Sequence, residues 1–184
     1  MFLVVVLGKG AEMRVPLHIL HLNQDDPRKC TAIKLNNKSL ARLHEDARTL
    51  PRRGLLLDPE SETMLSPLDK QLIILGGSII ALDCSWKNLS EAFLTINRRF
   101  ALDCRTLPSL LPANPVSWGK VGRLSSAEAL AGTLSILGFW EQAKEIMRPF
   151  NFGDQFLELN KKPLFEYSKV KDTKEMREVE SEFF

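Results

Sequence analysis

Three short runs in this chain are apolar at nearly every position, and each ends at a turn signal. Leu55-Leu56-Leu57 stops at Asp58-Pro59, Ser78–Leu82 leads into Asp83-Cys84-Ser85-Trp86, and Phe2–Leu7 enters Gly8-Lys9-Gly10. A strand with one face in water alternates apolar and polar residues, so a run without alternation is buried on both faces, as in a parallel sheet. Leu17–Leu22 is a weaker candidate of the same kind. Helix signals lie between these runs. Ser66 stands as N-cap with Pro67 at the first helical position and Asp69 three residues past the cap, and Gly76-Gly77 closes that segment. Leu40, Leu43, Ala47 and Leu50 have helical spacing before Pro51, which predicts a helix there, and the polar stretch Asn23–Thr31 reads as a loop. Strand–helix–strand alternation with fully apolar strands implies an α/β fold, a parallel sheet with helices on both faces.

After about Phe93 the character changes. Ser125 and Glu128 have capping-box spacing and open a helix through Leu137, stopped by Gly138. Phe139–Met147 is a second helix, ended by Pro149, and Gln155–Asn160 begins a third. The expected organisation is an α/β domain over 1–93 and a mainly helical domain over 94–184. The tail from 172 is mostly charged and is expected to fray.

With 44% hydrophobic residues in 184 and a net charge of +2, the chain can bury a sizeable core and carries no global signature of a polyanion binder. The charge is uneven, however. Between Asn97 and Leu124 stand five cations (Arg98, Arg99, Arg105, Lys120, Arg123) against one acid, Asp103. Three scattered cysteines, Cys30, Cys84 and Cys104, suit neither a disulfide framework nor a zinc site and fit a reducing cytoplasm. The first apolar run is too short for a signal peptide, and no segment approaches the roughly 20 apolar residues of a membrane span. Gly8-Lys9-Gly10 lacks P-loop spacing, and neither G-x-G-x-x-G nor H-E-x-x-H occurs. His18, His21 and His44 are not spaced to share a site with a cysteine.

Four stretches combine uncommon residues in loop-like contexts. They are Asp26–Leu35 (DPRKCTAIKL), Leu82–Trp86 (LDCSW), the fifteen residues Arg105–Gly119 with their three prolines and Asn-Pro-Val, and Leu124–Ala131 (LSSAEALA), with Phe156–Asn160 (FLELN) as a later echo. In this order, over roughly residues 20–165, they resemble the small-subunit ribosomal-RNA aminocarboxypropyltransferase family. The resemblance implies a fold like that of the SPOUT methyltransferases, with a deep trefoil knot forming the pocket and a helical C-terminal lobe. It implies S-adenosylmethionine as donor without a metal, transfer of its aminocarboxypropyl group to a ring nitrogen of a (methyl)pseudouridine, and ribosomal RNA or its precursor particle as partner. A monomer, without membrane association, is expected. The chain departs from the family pattern at Trp118, where a tyrosine is expected nearby, and at Gly153-Asp154, where the family has Gly-His.

Ligands of open α/β sheets lie at the carboxyl ends of the strands. An adenine slot there could be lined by Leu57, Pro59, Leu107 and Leu111, and Leu82 could offer a carbonyl to the ribose. Thr31 could donate to the carboxylate, and Ser126, in the first turn of its helix, allows close approach of negative charge. Trp86 is either a packing residue or, as the resemblance implies, a wall beside the sulfonium, exposing the longer arm to attack. Asp83 is a strand-end cap, or orients the substrate, or takes the proton of the base as general base. Arg98, Arg99, Lys120 and Arg123 are solvated charges or phosphate contacts, and Trp118 stacks on a splayed base or packs in the core. Two rivals remain: a SPOUT-type methyltransferase using the same pocket in the other orientation, and a non-catalytic rRNA-binding assembly factor.

Overall fold

The computed structural model describes residues 13–21, 30–83 and 102–184. The expected strand at Phe2–Leu7 lies outside them. Five strands form one sheet: β1 (Leu17–His21), β2 (Arg42–His44), β3 (Gly54–Leu57), β4 (Ser78–Asp83) and β5 (Asp103–Arg105), in the order β2-β1-β4-β3-β5. Every pairing is parallel. The apolar runs at β3 and β4 are therefore central strands, and their side chains divide between two cores. Leu55, Leu57, Ile79 and Ala81 join Leu17 and Ile19 in the larger one; Leu56 and Ile80 join Leu20 and Leu50 in the smaller.

Helices α1 (Thr31–Asn37), α2 (Lys70–Ile74) and α3 (Ser126–Ile136) each bury residues in the larger core. The chain continues through α4 (Trp140–Met147), α5 (Gly153–Leu159), α6 (Lys161–Tyr167) and α7 (Thr173–Glu180). On the second face, Leu50 and the partly buried Ala47 and Leu102 pack with Leu20, Leu56, Ile80 and Cys104 of the sheet. Helices on that face, which the sequence reading expects, are not among the described residues. No described helix is long and apolar enough to cross a membrane. In α3 only Ala129 is not buried, so this helix is enclosed on all sides, and Gly132 lies where an added Cβ would meet Leu110. Gly138, at φ 83°, ends it: Phe139 N–H reaches back to Leu134 O and Gly138 N–H to Ser135 O.

Both capping boxes expected from sequence are present, at Ser66/Asp69 and Ser125/Glu128, although the first opens a 3-10 turn (Pro67–Asp69) that precedes α2. The helix expected over 40–50 is not formed. That segment gives β2 and one 3-10 turn, Ala47–Thr49, because Leu43 pairs with Ile19 on β1 and Asp46 caps the turn by accepting from Arg48 N–H. Conversely, α1 occupies the end of a stretch read as a loop; its seven residues are held by burial of Ala32 and Leu35. β5 belongs to the sheet although it follows the 93/94 boundary, so the α/β layer draws on both halves of the chain. The tail is also corrected. Instead of fraying from 172, it forms α7, capped by Asp172 and anchored by Met176, which is fully buried, with Lys174, Arg177 and Glu178 on its exposed side.

Candidate active site

The strand ends set the frame. At the carboxyl edge His21 of β1 stands in register with Asp83 of β4, while Leu57 of β3 pairs with Arg105 of β5. Leu57 is nearly buried, and Leu107, two residues beyond β5, packs against the same core. The Thr106 hydroxyl reaches Pro59 O at 3.5 Å. Three of the four residues assigned to an adenine slot thus converge through the β3–β5 ladder. Leu82 lies on β4, one residue before its end.

Thr31 opens α1, and its hydroxyl accepts from Ala127 N–H in the first turn of α3 at 3.4 Å. The two residues assigned to the cofactor's carboxylate, Thr31 and Ser126, are consequently neighbours, and Ser126 is largely buried. Asp83 is placed at the strand end. Trp86, Arg98 and Arg99 lie outside the described residues.

What joins the strand edge to α3 is the proline-rich loop, and its hydrogen bonding explains its composition. A buried loop must satisfy its backbone groups without a ladder. Pro108 and Pro112 remove two donors outright. Of the remainder, Ser109 N–H donates to Glu180 of α7 at 2.6 Å and Ser109 O accepts from the Tyr167 hydroxyl at 3.1 Å. Leu111 exchanges two bonds with the Asn160 side-chain amide, both 2.8 Å. This holds the fourth slot candidate, Leu111, by its backbone. Ala113 N–H, Asn114 N–H and Asn114 Nδ2 all donate to Glu128, which also accepts from Ser125 N–H and Ser125 Oγ. Glu128 is fully buried. Its capping role was legible from sequence; its second role, as anchor of Ala113-Asn114, was not.

Arg105, one of the five cations counted between Asn97 and Leu124, has an internal partner. Its guanidinium pairs with Asp69 at 2.9 Å, and both side chains are largely covered. Lys120, Arg123 and Trp118, by contrast, stand on the exposed turn that follows Asn114, with Trp118 at 55% exposure, so Trp118 is not a core residue.

Two titratable features were missed from sequence. Asp58, immediately past β3, is almost buried, and burial pushes its carboxyl up, partly offset by the Glu60 N–H it accepts. On the other face of the sheet, His18 Nδ1 lies 2.8 Å from His44 Nε2, and His44 Nδ1 lies 2.7 Å from Thr49 Oγ1, whose hydroxyl donates to Asp46 O. The Thr49 donation fixes the chain's direction: His44 Nδ1–H donates to Thr49, and His18 Nδ1–H to His44. Burial, then the neighbouring His44 and Arg42, lowers His18 to about 4, and burial with Arg42 lowers His44. The unfolded chain takes up these protons near 6.5, whereas the fold refuses them until lower pH. Stability should therefore fall as pH drops from about 6.5 towards 4. Melting temperature against pH, compared between the wild type and His18→Gln, checks this; parallel curves would show that the pair contributes nothing to the acid limb.

Comparisons with known proteins bear on this geometry. A family model described as "Ribosome biogenesis protein, C-terminal" matches residues 55–184. Curated proteins named 16S rRNA aminocarboxypropyltransferase are similar over nearly their whole length. That of Methanosarcina mazei is 44% identical over 92% of this chain and 95% of its own, and that of Halobacterium salinarum is 41% identical over 91% and 95%. Among solved structures, the SAM-dependent rRNA:acp-transferase Tsr3 from Vulcanisaeta distributa aligns with a TM-score of 0.81 at 37% identity, covering 91% of this chain and 89% of that one. A second model, "Possible Fer4-like domain in RNase L inhibitor, RLI", matches residues 15–45. That segment holds one cysteine, Cys30, where an iron–sulfur cluster takes four, so its residues do not fit one.

Proposed function

Because the chain belongs to the ribosomal-RNA aminocarboxypropyltransferase family, we propose that it transfers the 3-amino-3-carboxypropyl group of S-adenosylmethionine to a ring nitrogen of a pseudouridine, or methylated pseudouridine, in small-subunit rRNA. The observation that carries this reading is the meeting of Thr31 with the first turn of α3, with Leu57 and Leu107 of the strand edge joined to the same core as Ala127. Such a site has hydroxyl and amide donors at one end for a carboxylate and apolar walls at the other for an adenine. S-adenosylmethionine supplies a sulfonium leaving group, so a C–N bond forms as the C–S bond breaks, the electron pair stays on sulfur, and methylthioadenosine departs.

The chain's residues then divide the work. Thr31 and the α3 N-terminus, with Ser126, hold the carboxylate; Leu57, Pro59, Leu107 and Leu111 line the adenine slot, and the Leu82 carbonyl takes a ribose hydroxyl. Trp86 covers the methyl side, so alignment presents the longer arm. Asp83 orients the base or accepts its ring proton. Lys120, Arg123, Arg98 and Arg99 meet RNA phosphates. The deep knot belongs to the same proposal. It rests on the family resemblance. A monomer acting in the cytoplasm completes the reading.

The test is incubation with small-subunit rRNA and donor labelled separately in the carboxyl and in the methyl carbon. Carboxyl label should enter RNA and methyl label should not. Methyl incorporation would overturn the proposal in favour of a methyltransferase, and binding without any incorporation would favour an assembly factor.

A further inference from the structure

The turn between the clamped loop and α3 has an apolar surface beside the cations Lys120 and Arg123, and the function read above gives that apolar part no role. Val116, Trp118 and Val121 are 73%, 55% and 46% exposed. Lys120 and Arg123 are exposed on the same turn, and no acid occurs from Asn114 to Leu124. An exposed Trp on a slack loop would mean little, but this turn is tied at both ends. Asn114, buried and bound to Glu128, accepts Ser117 N–H on its Oδ1 at 2.9 Å. Gly122 N–H reaches Leu110 O at 3.0 Å, and Arg123 N–H reaches Lys120 O at 3.0 Å. Gly119 and Gly122, at φ 73° and 75°, supply the left-handed conformations the double bend requires. The indole is thus presented on fixed backbone two residues from Lys120, and the same turn runs directly into Ser125 and Ser126 at the start of α3.

We propose that Trp118 is a stacking platform for an unpaired nucleobase of the RNA substrate, with Lys120 and Arg123 holding the phosphates on either side. Resting on the function read above, the placement is chemically apt. The carboxylate of the transferred arm is assigned to the α3 N-terminus, so the accepting base must approach beside this turn. A splayed base offers a flat π-face whatever its sequence, and a pre-positioned indole receives it with little ordering cost. The charge is right for a polyanion, and the absence of acids removes the repulsion that would oppose one.

The experiment measures binding of the full chain to a synthetic RNA hairpin with a pyrimidine loop, and to the same stem fully paired, across a salt series. Trp118→Ala should weaken hairpin binding about tenfold to a hundredfold. It should leave the slope of log K against log salt unchanged and S-adenosylmethionine affinity intact, while Trp118→Phe restores most of the loss. Lys120→Ala with Arg123→Ala should instead reduce that slope by about 1.4–1.8. A Trp118→Ala variant within twofold of wild type on the hairpin, or equally impaired on the paired stem, overturns the proposal; the turn would then serve a different partner. Carboxyl-label transfer by the wild type is read in parallel. Its absence would sink the functional reading without touching the stacking result, and its presence with unaltered hairpin binding would sink stacking alone.

Discussion

Glu128→Ala should be the most damaging single truncation in the described part of this protein. The carboxylate collects five hydrogen bonds, from Ala113, twice from Asn114 and twice from Ser125, in a position with no exposure. Alanine leaves those donors without an acceptor in a site water does not reach. An unsatisfied buried polar group costs about 1–3 kcal/mol, and the network as a whole should lose about 3–5 kcal/mol. For a chain of this size that lowers the melting temperature by roughly 6–20 °C. Ser125→Ala removes a cap while sparing the loop bonds and should cost only about 1 kcal/mol. Thermal unfolding of both variants separates the roles. If the two lose equally little, Glu128 is only a cap, and the loop is held by something else.

Gly54→Ala should come next. Gly54 begins β3 at φ 154°, opposite Ser78 of β4, and an added Cβ would fall inside contact distance of the Ser78 backbone carbonyl. Backbone cannot swing aside as a side chain can, so the two strands must part. Overpacking costs about 1–3 kcal/mol and the unfavourable φ about as much again. Gly76→Ala is the control, since Gly76 has φ 90° with open space around the added atom, and it isolates the conformational part. Because β3 ends at Leu57 and leads into Asp58 and Pro59, the Gly54 variant should also bind S-adenosylmethionine more weakly. Urea unfolding with a parallel ligand titration tests both effects; equal losses in the two variants would show that the close approach to Ser78 is tolerated.

What could be read from sequence was what local chemistry writes. β3 and β4 were legible because burial on both faces leaves an unbroken apolar run, and the caps at Ser66 and Ser125 because a side chain answers its own backbone three residues on. The failures share a cause. β2 and β5 are three residues each and gain their identity from the neighbour strand, so Leu40, Leu43, Ala47 and Leu50 mimicked a helix that pairing with β1 overrides. In the site, the need of a carboxylate for hydroxyl donors and a helix N-terminus pointed to Thr31 and Ser126, and the structure makes them neighbours. No spacing rule announced that Asn160, Tyr167 and Glu180 would hold the loop between them, because their partners stand 49, 58 and 71 residues away. Nor did the charge census show that Arg105 is committed to Asp69 while Lys120 and Arg123 remain on the surface.

Those separations have a consequence for the order of synthesis. A nascent chain emerges N-terminus first, and β1 through β4 can pair once residue 83 is out. The proline-rich loop cannot close then, because Ser109 waits for Tyr167 and then for Glu180. The loop must stay open, with Leu110 and Ala113 uncovered, until the last described helix is made and docked. Contacts so distant along the chain carry a large closure entropy before they return any energy, which slows their formation. The newly made protein should hence become an enzyme only at the end of its folding. A ribosome-modifying site would stay incomplete until α7 has left the ribosome that makes it and has docked.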